Sequence, residues 1–162
     1  CTALAENMLM LCNGWDEERA RAEVAEAVAS GKAFETMKKW IAAQGGNAAA
    51  LEDFSLLPQA SVHYKLKAPR SGYLAHMDAQ KIGEASAILG AGRQKKEDSI
   101  DYAAGIVLRK KTGDRVEAGE TLAELWTNQE KSIADSEAEF LSALVWGEEA
   151  PQHQPLVLGV IR

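Results

Sequence analysis

Apolar residues recur at helical spacing from the first turn of the chain. Leu4, Met8 and Leu11 share one face, and Asn13-Gly14 is a stop. Thr2 is a weak candidate cap for this helix. Asp16 is a better one for the next, with Glu17 and Glu18 at the positive helix end and Ala20, Val24, Ala27 and Val28 as the apolar stripe. Ser30-Gly31 breaks that stripe. A third helix carries Phe34, Met37 and Ile41 and ends at Gly45-Gly46. Three such thin stripes make a poor core by themselves, so the helices are expected to lean on something larger.

The period changes after Leu57-Pro58. Val62 to Lys67 alternates, with Val62, Tyr64 and Leu66 on one face, as in a half-buried strand. Ala68 to Gly72 is a turn and Tyr73-Leu74-Ala75 a second strand. Asp78 caps a helix bearing Ile82, Ala85 and Leu89, closed by Gly90. The apolar run Ile106-Val107-Leu108 predicts a central strand. Turns at Thr112-Gly113-Asp114 and Ala118-Gly119 precede a strand from Thr121 to Trp126. A last helix is expected with Ala134, Ala138, Leu141 and Val145 on its apolar face, and a closing strand over Leu156 to Ile161 after two prolines. The pattern is α+β, with a helical segment over 1–57 and a mixed domain over 58–162.

Composition narrows the field. Of 162 residues, 46% are hydrophobic and 26% charged, as in a globular chain, and the net charge of −6 argues against a nucleic-acid surface. No apolar run reaches the ~20 residues of a membrane span, and no basic segment precedes an apolar one as in a signal peptide. Cys1 and Cys12, on one helix face, stand about 16 Å apart along the axis, too far to bridge. Two free thiols fit the cytoplasm, and their expected role is buried apolar filling. A first helix with an end but no proper beginning suggests a segment cut from a longer protein.

Three features could carry chemistry. Leu89-Gly90-Ala91-Gly92-Arg93, with Lys95 and Lys96, has the glycines and cations of a phosphate cradle. The glycines follow a helix, however, where the dipole disfavours an anion, so a helix C-cap and a solvated basic loop is the preferred reading. Gly113 to Leu125 resembles the hairpins of biotinyl and lipoyl carrier domains. It lacks their Met-Lys-Met, and the nearest lysine, Lys131, falls where a helix should begin. Glu97, Asp98 and Asp101 could act as general acid and base or bind a metal, but acids ahead of an apolar strand more often cap or face solvent. His63, His76 and His153 show no ligand spacing.

Between Ala68 and Asn128 a set of ordered motifs becomes familiar: Ala68-Pro69-Arg70-Ser71-Gly72-Tyr73, Met77-Asp78-Ala79, Ile82-Gly83, Leu89 to Arg93, Lys96-Glu97-Asp98, Asp101, Gly105 to Leu108 and Gly113 to Val116. They resemble the C-terminal domain of pyrimidine-nucleoside and thymidine phosphorylases. Ser30 to Ala33, Gln44 to Gly46 and Leu57 to Ala60 are similar to that family's approach to the domain.

The resemblance implies an α/β-hammerhead-type domain over 58–162, preceded over 1–57 by a helical remnant of the catalytic α/β domain. It implies a cytoplasmic, homodimeric pentosyltransferase in which inorganic phosphate attacks the anomeric carbon of thymidine or uridine, releasing base and pentose 1-phosphate. Related phosphorylases act on nucleoside monophosphates. The family's Gly-rich signature, its Arg, Ser and Lys ligands and its monovalent-cation site belong to segments that precede this one. No catalytic, substrate-binding, cofactor-binding or metal residue is therefore assigned, no cofactor is expected here, and the chain alone is expected to be inactive. The other reading is a stand-alone barrel-sandwich carrier or interaction domain modified at Lys131.

Overall fold

A computed structural model of the chain describes residues 1–93, 95–152 and 155–161. It divides into two compact units, Cys1–Leu57 and Pro58–Arg162.

The first unit is helical. Helix α1 (Thr2–Asn13) ends on Gly14, whose left-handed backbone (φ 65°) lets its N–H reach the Met10 carbonyl. Cys1, not Thr2, is its N-cap, and no side chain caps it. Asp16 caps α2 (Glu17–Ala29) by accepting the Arg19 N–H at 2.8 Å. Gly31, left-handed at φ 78°, starts α3 (Lys32–Ala43). Lys38 pairs with Glu35 of the same helix at 3.0 Å and with Glu52, the C-cap of the following 3-10 turn (Ala48–Leu51), at 3.1 Å. Those two hydrogen bonds hold the lysine above its usual pKa. The unit's buried apolar residues are small, Ala20 and Ala50, while Leu4, Met8, Leu11, Phe34, Met37 and Trp40 are exposed. Cys1 and Cys12 are exposed free thiols, which corrects the expectation that they fill a core. The stripes here are too narrow to cover them.

The second unit is α+β and holds the larger core. Strands β1 (Val62–Lys67), β5 (Thr121–Thr127) and β3 (Gly105–Leu108) form one antiparallel sheet in the order β1-β5-β3. Strands β4 (Arg115–Val116), β2 (Gly72–Met77) and β6 (Leu144–Gly147) form a second in the order β4-β2-β6. The Ala68–Ser71 stretch thus carries the chain from one sheet to the other. Alternation along β1 is as expected, with Leu66 buried and His63, Lys65 and Lys67 exposed.

Helices α4 (Ala79–Ser86) and α5 (Ile133–Ser142) pack on each other and cover the core. Asp78 caps α4 by accepting the Gln80 and Lys81 N–H groups at 2.9 and 3.3 Å. The core unites Leu66, Leu74, Ala85, Leu89, Val116, Leu122, Leu125 and Phe140 from both sheets and both helices.

Three expectations for this unit need correction. Ile106-Val107-Leu108 lies at a sheet edge, because β3 pairs with β5 alone and β5 takes the central place. A short apolar run does not distinguish the two positions. The last helix buries Ser136 and Phe140, leaves Ala134 and Ala138 exposed, and stops before Val145, which belongs to β6. Leu156 to Ile161 is not a strand. Its residues are exposed, and Leu144–Gly147 is the last strand among the described residues.

Candidate functional site

The Gly-rich segment follows directly from how α4 ends. The helix widens into a π-turn over Ala87–Ala91, and Gly90 reaches φ 108°, a conformation that side-chain-bearing residues rarely adopt. Turns of this kind gather at functional positions, so the partners of the freed carbonyls matter. Both carbonyls are taken from within. The buried Thr127 hydroxyl donates to Leu89 O at 2.7 Å, and the Asp101 N–H donates to Gly90 O at 2.9 Å. Asn128 Nδ2 in turn donates to the Asp101 carboxylate at 2.9 Å, and the Gln129 N–H donates to the Thr127 hydroxyl at 2.9 Å.

Beside this turn lies a hollow of about 240 Å³, lined by Ala87, Ile88, Gly90, Gly92, Asp98, Ser99 and Gln129. Among the described residues that line it there is a carboxylate, Asp98, and no Lys or Arg, while Arg93, Lys95 and Lys96 are exposed, so the lining is not one suited to phosphate. Asp98 instead accepts the Lys95 N–H at 2.8 Å, as a turn-capping acid does. The segment behaves as a helix end with a basic loop after it.

The carrier-like run resolves in the same direction. Gly113 (φ 98°) and Gly119 (φ 81°) make the two turns, and Val116 between them and Leu122 after them are buried. Lys131 sits in a 3-10 turn (Glu130–Ser132) leading into α5, whereas a carrier presents its lysine on a hairpin tip.

The acids and histidines do not converge. Asp101 accepts the Ala103 N–H at 2.9 Å besides its bond from Asn128. His63 stacks on Trp126 with ring centroids 4.2 Å apart. His76 lines a separate groove with Ala75, Thr112, Gly113, Pro151, Gln152 and Leu156, and His153 lies outside the described residues. Among the described residues no group of three or more His, Cys, Asp or Glu stands together as a metal site. No helix among them is long and apolar enough to cross a membrane.

What the motifs do is hold one another. Ser71 accepts the Ala118 N–H at 2.8 Å and donates to Glu117 at 3.0 Å, while Ala68 exchanges backbone bonds with Glu120 and Gly119. The Gly113 N–H donates to Leu74 O at 2.8 Å, and the Leu74 N–H donates to Asp114 O at 3.0 Å. Lys110 pairs with Glu120 at 2.6 Å, which, with the Glu117 N–H, holds that carboxyl below its ordinary range. Sequence reasoning missed Thr127 and Ser136, whose buried hydroxyls donate to Leu89 O and Ala85 O at 2.7 and 2.8 Å. Each is a polar residue whose partner lies far along the chain, and no local pattern announces it.

Comparison with known proteins agrees with this mutual arrangement. The family model described as "Pyrimidine nucleoside phosphorylase C-terminal domain" matches residues 73–145. The chain is 42% identical over 132 residues to a pyrimidine-nucleoside phosphorylase of Geobacillus stearothermophilus, covering 81% of this chain and 30% of that protein. It is 43% identical over 128 residues to that of Bacillus subtilis (strain 168) and 44% identical over 128 residues to that of Staphylococcus aureus (strain USA300), each match covering 78% of this chain and 30% of the relative. The chain thus spans about 30% of the length of the curated relatives it matches. By motif order and identity, it carries the C-terminal domain of the pyrimidine-nucleoside phosphorylase family.

Proposed function

We propose that this chain is the supporting C-terminal part of an enzyme that cleaves thymidine or uridine with inorganic phosphate, giving the free base and a pentose 1-phosphate. In that reading the enzyme is a cytoplasmic, homodimeric pentosyltransferase. Residues 58–162 are its C-terminal domain and residues 1–57 the helical end of its catalytic domain. Such chemistry needs donors fixed around the phosphate and groups that stabilise charge on the departing base. The observation that carries the reading is the internal use of polar groups here. Asp98, Asp101, Thr127 and Ser71 all serve backbone or neighbouring side chains of the same unit.

By the same argument the chain alone has no phosphorolysis activity, no cofactor and no substrate-binding residue of its own, and it leaves the choice between thymidine and uridine to the catalytic part. Incubation of the purified chain with thymidine or uridine and phosphate, followed by chromatography of the free base, tests this. The expected result is no release above a heat-inactivated control. Measurable turnover would overturn the assignment of a purely supporting role.

A further inference from the structure

We draw no further inference here: the strongest candidate, the exposed aliphatic segment over residues 155–161 beside the groove on the second sheet, is an unpartnered apolar surface, and nothing in the structure shows what covers it.

Discussion

Gly90 shows how much can rest on one position. A Cβ added there would meet Gln129 Nε2 at 3.2 Å and Asp101 Cβ at 3.4 Å, at a φ of 108°. Gly90→Ala is therefore expected to destabilise the chain by more than about 1 kcal/mol, because strain and crowding act together. Thr127→Val keeps the shape but strands the Leu89 carbonyl and removes the acceptor of the Gln129 N–H, an expected loss of about 1–3 kcal/mol. Urea midpoints at constant slope measure both; values equal to the parent chain would contradict the account of the π-turn. The two thiols give a simpler check. With Cys1 and Cys12 both exposed, a thiol reagent should titrate two groups in the native chain, and as many after unfolding. Local devices such as the Asp16 and Asp78 caps and the Gly14 terminator were legible in the sequence, since cap and partner lie within one helical turn. The Thr127 and Ser136 hydroxyls were not, because Leu89 and Ala85 reach them only through the tertiary fold.

At the scale of elements, β1 and α5 are joined by a polar contact that pH can probe. The Tyr64 hydroxyl donates to Glu137 at 2.9 Å, and that hydrogen bond, with burial and the carboxylate charge, raises the phenol above its ordinary pKa. A folded value above the unfolded one favours the protonated form. The contribution is complete below about pH 10, the ordinary tyrosine value, and is lost as pH climbs through the raised one. Ultraviolet titration of the folded chain should thus show a late tyrosinate step that Tyr64→Phe removes; an unchanged curve would rule out the contact. Strand positions followed the alternation rule well where one face is buried, as in β1. The rule had less purchase on Ala143 to Gly147. There a helix gives way to a strand with one residue between them, and Val145 falls on the helical period although it belongs to β6. The aliphatic run over 156–161 read as a strand by composition, but a strand needs a neighbour, and none pairs with it among the described residues.

For the whole molecule, the two units differ in what they bury. All members of the main apolar core, from Leu66 to Leu144, belong to the second unit, whereas the first buries only Ala20 and Ala50 among its apolar residues. Residues 58–162 expressed alone are expected to keep a cooperative thermal transition, and residues 1–57 alone to melt without one. Calorimetry of the two pieces decides; a cooperative transition in the short piece would show that its thin stripes suffice. The α+β class was readable from the change of period after Leu57-Pro58. The division into two sheets was not, since pairing partners are set by the fold and leave no local mark. That division has a consequence for synthesis. Val62 must wait for Thr127, and Met77 for Leu144, so the second sheet cannot close while the nascent chain still has its final helix inside the ribosome. A premature stop ahead of Trp146 would leave Leu74 without its cross-strand neighbour and strip β2 of most of its pairing with β6.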